Sequence, residues 1–134
     1  MPIHITWENE ERTIIRHAYE GKWTIQEYYE LIRKNYEHID SVNHTVDIIN
    51  DLRNTSQLPG DMIPAIRYAI QNRHPNEGIN VMVGASALIQ MLVEAVNKTT
   101  RMTVTQANYV ENLEDAYPII EAEQAKRRTK NSNP

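Results

Sequence analysis

The fold is decided by the stretch Thr45-Val46-Asp47-Ile48-Ile49-Asn50-Asp51-Leu52, near the middle of the chain. Its central apolar pair predicts a strand that is covered on both faces, as the strands of parallel sheets are. A helical pattern precedes this strand and another follows it. Strands separated by single helices form parallel pairs with right-handed crossovers, so this alternation predicts an α/β fold.

The N-terminal segment predicts an antiparallel hairpin. Apolar and polar residues alternate from Ile3 to Glu8, which is the pattern of a half-buried strand. A second β-rich run, Arg12 to Tyr19, follows after a connection that is too short for a crossover. The expected register pairs Glu8 with Arg12, Ile5 with Ile15, and Ile3 with His17.

The rest of the chain predicts helices and strands in alternation. Two further strands are expected, from Ile79 to Val83 and from Met102 to Thr105. Each helix is preceded by a residue whose side chain can accept a hydrogen bond from a free backbone N–H group. These expected caps are Thr24 (in a capping box with Glu27), Asp61, Ser86 and Asn112. The predicted order is therefore β-β-α-β-α-β-α-β-α, a mixed and mostly parallel sheet of about five strands with four helices.

Composition limits the functions that the chain can have. It has 134 residues and no cysteine, which excludes disulfides, zinc–thiolate sites and thiol nucleophiles. We expect a single domain over residues 1–125 and a disordered basic tail over residues 126–134. The net charge is −4 although the tail is basic, so the body is acidic and nucleic acid is not expected as a partner. The sequence has neither a signal-peptide pattern nor an apolar run of membrane-spanning length, so we expect a cytoplasmic protein.

Three segments, in order, resemble those of STAS domains. They are Gly21-Lys22-Trp23-Thr24, the strand Val46 to Asp51, and Val81-Met82-Val83-Gly84. With the element order, they make the chain similar to the small bacterial STAS/SEC14-like proteins, which have the SpoIIAA-like fold of anti-sigma factor antagonists. The resemblance implies a regulatory protein partner and, from the SEC14-like relatives, the alternative of a small apolar ligand such as a lipid between helices.

The chain departs from this family where the second helix begins. The antagonists carry an Asp-Ser-Gly-type signature there, and a partner kinase phosphorylates its serine. This chain has Gly60-Asp61-Met62-Ile63 instead, so only Thr55 and Ser56 in the preceding loop could take the serine's place. We therefore expect a non-enzymatic STAS-like regulatory module that lacks the usual phosphorylatable serine motif.

Candidate binding residues follow from the topology. Ligands of open α/β sheets gather beyond the carboxyl ends of the strands, close to helix N-termini. We expect Asp51, Arg53, Ser86 and Asn108 to share one shallow polar depression at that edge. The full set of candidate residues for partner or ligand binding is Asp51, Arg53, Asn54, Thr55, Ser56, Asp61, Ser86 and Asn108.

Enzymatic and metal-dependent alternatives are less well supported. Asp51 is placed like the phosphoacceptor of response-regulator receivers, but receivers also need an acidic pair after the first strand and a lysine after the last. The first strand–helix junction offers only Glu20, so we expect Asp51 to be structural and to accept loop amides or pair with Arg53. The five histidines lack zinc-ligand spacing, so we expect surface or edge positions, no metal and no cofactor.

One helix carries three tyrosines that suggest a second kind of site. Tyr28, Tyr29 and Tyr36 could line a pocket with a polar rim, although such residues are more often core side chains whose hydroxyl groups reach the surface. The sequence leaves both possibilities open.

Overall fold

The structure, a computed structural model, describes residues 2–99 and 108–132. Within these residues it contains five strands, four α-helices and one 3₁₀ turn in the predicted order. These are β1 (Ile3–Trp7), β2 (Ile14–Lys22), α1 (Ile25–Asp40), β3 (Val46–Gln57), α2 (Met62–Gln71), β4 (Glu77–Val83), α3 (Ala87–Thr99), β5 (Asn108–Val110), the 3₁₀ turn (Leu113–Asp115) and α4 (Ala116–Ser132). The strand that we predicted at Met102 to Thr105 lies outside the described residues.

The sheet follows the chain in simple order, β1-β2-β3-β4-β5. β1 is antiparallel to β2, and each later pair is parallel. The predicted mixed α/β architecture is thus confirmed, because single helices connect the parallel strands as crossovers.

The predicted hairpin register is wrong by two residues. Ile5 pairs with His17 and Trp7 with Ile15. The connection is longer than expected because Asn9 closes it, donating to Thr13 Oγ1 at 2.7 Å and accepting from the Thr13 backbone N–H at 3.0 Å. A shift by an even number of residues leaves each side chain on its expected face.

The helix starts agree only partly with the predicted caps. Thr24 and Glu27 form the predicted capping box, and Ser86 Oγ accepts from the Ile89 backbone N–H at 3.3 Å. Asp61 makes no side-chain cap bond, because its backbone is left-handed with φ 59°. Asn112 also makes no cap bond and precedes the 3₁₀ turn rather than α4.

Helices cover both faces of the sheet. Helices α1, α2 and α3 pack on one face through residues such as Leu31, Met62 and Val96. Helix α4 packs on the opposite face, where Ala116 and Ile120 meet apolar residues of β2, β3 and β4. Since successive strand residues point to opposite faces, the sheet separates two environments.

Within the described residues, none of the helices combines the length and apolar character that a membrane span requires.

Candidate functional site

Asp51 and Arg53 lie together in the middle of β3, where its pairing with β4 ends. Arg53 Nε and Nη2 donate to the two carboxylate oxygens of Asp51 at 2.8 Å each, and Arg16 Nη1 donates to Asp51 Oδ2 at 3.2 Å. The hydrogen bonds from Arg53 are the main cause that lowers the pKa of the Asp51 carboxyl below its ordinary value. Asp51 is buried. The prediction that Asp51 pairs with Arg53 is confirmed.

This ion pair belongs to a larger group, which we call the charge cluster: Glu8, Arg16, Asp51 and Arg53. Arg16 Nε lies 3.0 Å from Glu8 Oε1, and the Tyr117 hydroxyl of α4 donates to the same oxygen at 2.9 Å. Together with Tyr117, the cluster therefore links β2, β3 and the residue that follows β1 to α4. A carboxylate that is held between two guanidinium groups is strongly stabilised as the anion.

Gly84 leaves the space that the Arg53 side chain occupies. Gly84 follows β4 with φ 68°, and a Cβ at this position would lie 2.6 Å from Arg53 Cγ. Any other residue would thus combine a strained backbone with a clash. Gly84 lets the Arg53 side chain cross the end of β4.

The remaining candidate residues lie on β3, just before α2 and α3, and on β5. β3 continues to Gln57, so Asn54, Thr55 and Ser56 are strand residues and the prediction that they lie in a loop is wrong. Asn54 and Ser56 are exposed, and the Thr55 hydroxyl accepts from Trp23 Nε1 at 3.4 Å. Asp61 is also exposed.

Two candidates follow later strands. Ser86 is exposed, and its hydroxyl caps α3. Asn108 is the first residue of β5 and pairs with Val81, whereas Val83 pairs with Val110 at the carboxyl end. Asn108 therefore begins a strand, whereas we expected it to follow one.

A concave site lies elsewhere, on the face of the sheet covered by α1, α2 and α3. It is a partly open cavity of about 180 Å³. Tyr28 and Tyr36 line it, together with apolar side chains from α2 and α3. The third tyrosine, Tyr29, instead packs edge-on against Tyr68, with ring centroids 5.2 Å apart. The pocket alternative for the tyrosines thus holds for Tyr28 and Tyr36.

Five polar side chains form a closed hydrogen-bonded ring in the wall of this cavity, which we call the polar ring. His17 Nε2 lies 2.9 Å from Asn35 Oδ1, and His17 Nδ1 lies 3.2 Å from Asn50 Oδ1. Asn50 donates to Asn80 Oδ1 at 3.0 Å. Asn35 and Asn80 donate to the two carboxylate oxygens of Glu77 at 3.2 Å each, which closes the ring.

Burial controls the protonation of the ring. It lowers the pKa of His17 to about 4, because charging the imidazole there costs hydration. It also raises the pKa of Glu77, against the opposing influence of Arg73, whose Nε lies 3.6 Å from Glu77 Oε2. A neutral imidazole has only one N–H group, so at any one time His17 donates to Asn35 Oδ1 or to Asn50 Oδ1 but not to both.

Our prediction of surface or edge histidines is wrong for His17 and His74. Both are buried. His17 is tolerated in the core because both ring nitrogens have partners, and His74 because Nε2 contacts Asp40 at 3.2 Å while Nδ1 accepts from the Asn76 backbone N–H at 2.9 Å. One signal was present in the sequence, since His17 occupies the same strand face as the apolar residues Ile15 and Tyr19.

A second buried ion pair went unpredicted. Asp47 is fully buried under α4, where both Arg127 terminal nitrogens donate to its carboxylate at 2.6 and 2.8 Å. Its Oδ1 also accepts from the Ile79 backbone N–H at 2.9 Å. We expected residues 126–134 to form a disordered tail. Instead α4 continues through Ser132, because Arg127 is held by this pair.

Comparison with known proteins supports the fold. No protein-family model matches the sequence, and no curated protein matches it significantly. Among solved structures, an uncharacterised protein of the DUF3478 family with a SpoIIAA-like fold, from Shewanella loihica, is similar with a TM-score of 0.62 and 14% identity. The match covers 87% of this chain and 91% of that protein.

A second similar structure is the anti-sigma factor antagonist SpoIIAA in its unphosphorylated form. Its TM-score is 0.52 at 10% identity, and the match covers 93% of this chain and 97% of that one. The protein thus has the SpoIIAA-like fold of STAS domains, as the sequence predicted.

Proposed function

We propose that this protein is a non-enzymatic regulatory module of STAS type that acts by binding a protein partner. The fold supports this role, since a similar structure is that of an anti-sigma factor antagonist. Pairing of the Asp51 carboxylate with Arg53 and Arg16 supports a structural rather than a catalytic role for this residue.

One surface observation carries the partner-binding proposal. Three large apolar side chains are exposed at the starts of α2 and α3: Ile63 by 39%, Leu88 by 52% and Met91 by 59%. Both helices follow parallel strands, so their N-terminal ends lie at the same edge of the sheet. Exposed Asp61 and Ser86 flank these side chains in sequence. Apolar residues with a polar rim are typical of protein–protein interfaces.

The test is purification of the tagged protein from its own host, followed by native mass spectrometry. We expect a stoichiometric protein partner that the double variant Leu88→Glu, Met91→Glu loses. The control variant is Glu121→Arg on the exposed side of α4, which should keep the partner. If no partner accompanies the wild type, or if the double variant retains it, this surface is not the interface.

The cavity favours a second candidate function, the binding of a small ligand. Its volume of about 180 Å³ exceeds the roughly 150 Å³ of a protein cavity that holds benzene. The same native mass spectra test this function, because a bound small molecule adds a mass that partial unfolding releases. Spectra of the apoprotein alone would count against it.

A further inference from the structure

The cavity has two chemically different parts. Apolar side chains of α2 and α3, including Met62, Ile66 and Leu92, form one part, and the polar ring forms the other. A ligand that matches both parts needs an apolar body and a polar head. By comparison with the cavity that holds benzene, the available volume suits roughly six to ten non-hydrogen atoms.

The charges that face the cavity compensate each other. Arg73 lies beside Glu77, and its Nη2 donates to the backbone oxygens of Glu77 and Gly78 at 2.8 Å each. His17 is neutral above its lowered pKa. An ionised ligand would therefore add a charge without a counter-charge, and such a charge is costly away from water.

The polar ring can both donate and accept. Each asparagine has two N–H groups, and the ring uses one N–H of Asn35, Asn50 and Asn80. The amide oxygens of Asn35 and Asn80 likewise have a second lone pair, whereas Asn50 Oδ1 also accepts from the Tyr19 hydroxyl at 3.5 Å. The amide is therefore the natural complement, since a carboxamide offers one acceptor and one donor side by side.

From this geometry we propose that the cavity binds a small, uncharged molecule with an apolar body and a carboxamide-like head, and that the polar ring recognises the head. The proposal rests on the ligand-binding function proposed above. It adds the chemical class of the ligand and assigns the five ring residues as the determinants of specificity.

Four probes of equal non-hydrogen atom count test the proposal: benzamide, benzoate, benzamidine and isopropylbenzene. At neutral pH they present a neutral amide, an anion, a cation and an apolar group on the same ring. Each is titrated into the isotope-labelled full chain, and backbone amide NMR shifts are recorded. We expect benzamide to give saturable shifts around the cavity and to bind about tenfold more tightly than each other probe.

Two variants test whether the polar ring recognises the head group of the ligand. Asn80→Ala should weaken benzamide binding about tenfold and leave isopropylbenzene binding unchanged, because it removes one amide of the ring. Asn54→Ala, a change of the same size at an exposed site, should alter neither. Should Asn80→Ala fail to fold, the relative affinities of the four probes for the wild type still test the proposed head group.

The results distinguish a wrong head group, a wrong role of the polar ring, and the absence of ligand binding. Equal affinity for all four probes, or tighter binding of an ion, would overturn the proposed head group and leave the ligand-binding function standing. An equal loss of benzamide and isopropylbenzene in Asn80→Ala would overturn the role of the ring. Absence of shifts with every probe would contradict ligand binding in the cavity itself.

Discussion

The two faces of the sheet satisfy their buried polar groups in different ways. Under α4, charges meet in direct ion pairs, Asp47 with Arg127 and Asp51 with Arg53 and Arg16. Under α1, α2 and α3, a closed ring of amides links His17 to Glu77 beside a cavity. Direct pairs fasten one element to another, whereas a polar ring beside open space can exchange hydrogen bonds with a ligand. From this difference we expect the α4 face to serve stability and the opposite face to serve the proposed ligand recognition.

The largest effect is expected from the Asp47–Arg127 pair. Asp47→Ala should lower the free energy of unfolding by about 4 kcal/mol, because it leaves Arg127 and the Ile79 backbone N–H without their partner. Urea denaturation measures this loss. Arg128→Ala, at the exposed neighbour on α4, is the control and should change stability by less than about 0.5 kcal/mol. Equal effects of the two variants would show that the ion pair does not fasten α4.

On the opposite face, His17 should make stability depend on pH. Its folded-state pKa of about 4 lies below the ordinary value of 6.5, so the unfolded chain binds the proton first as pH falls. Stability is therefore complete above the ordinary pKa and falls towards the folded-state value, by about 3 kcal/mol in total. The measurement is the free energy of unfolding of the wild type minus that of His17→Gln, from neutral pH down to about pH 4.

Glu77 acts in the opposite sense and needs a control. Its raised pKa means that the folded protein takes up this proton before the unfolded chain does, which offsets part of the loss. Repeating the comparison in a Glu77→Gln background removes this contribution. If the wild type instead became more stable relative to His17→Gln as pH fell, the ring would hold an imidazolium, and the neutral-ligand proposal would fail with it.

A smaller effect is expected at the charge cluster. Asp51→Asn should lower stability by about 1–2 kcal/mol, since the amide weakens the paired bonds with Arg53 and the contact with Arg16. Thermal or urea unfolding of the variant gives the number. Unchanged stability combined with lost partner binding would show that Asp51 serves partner binding and not stability.

The sequence predicts the fold better than the site, and particular residues show why. The capping box at Thr24 and the apolar run Ile48-Ile49 are local signals, so they identify α1 and a central strand. Apart from the place of His17 on an apolar strand face, the polar ring has no local signal, because His17, Asn35 and Glu77 come from three separate elements and meet only after folding. The pairing of Arg127 could not be predicted for the same reason. In sequence Arg127 belongs to a basic terminus, and its partner Asp47 is 80 positions away.

The smallest response is expected from phosphorylation chemistry at Asp51. Acetyl phosphate, or beryllofluoride with magnesium, should leave the backbone NMR shifts of the protein unchanged. Both carboxylate oxygens of Asp51 already accept from Arg53, and Glu8, the other carboxylate of the charge cluster, is itself paired with Arg16, so the two carboxylates are poorly placed to hold magnesium. Within the described residues, no group of three His, Asp or Glu side chains is placed to hold a metal ion. A phosphoryl group would therefore have to displace a bidentate arginine without help from a cation. Magnesium-dependent shifts centred on Asp51 would contradict this expectation, favour a receiver-like phosphoacceptor, and place a functional site on the α4 face as well.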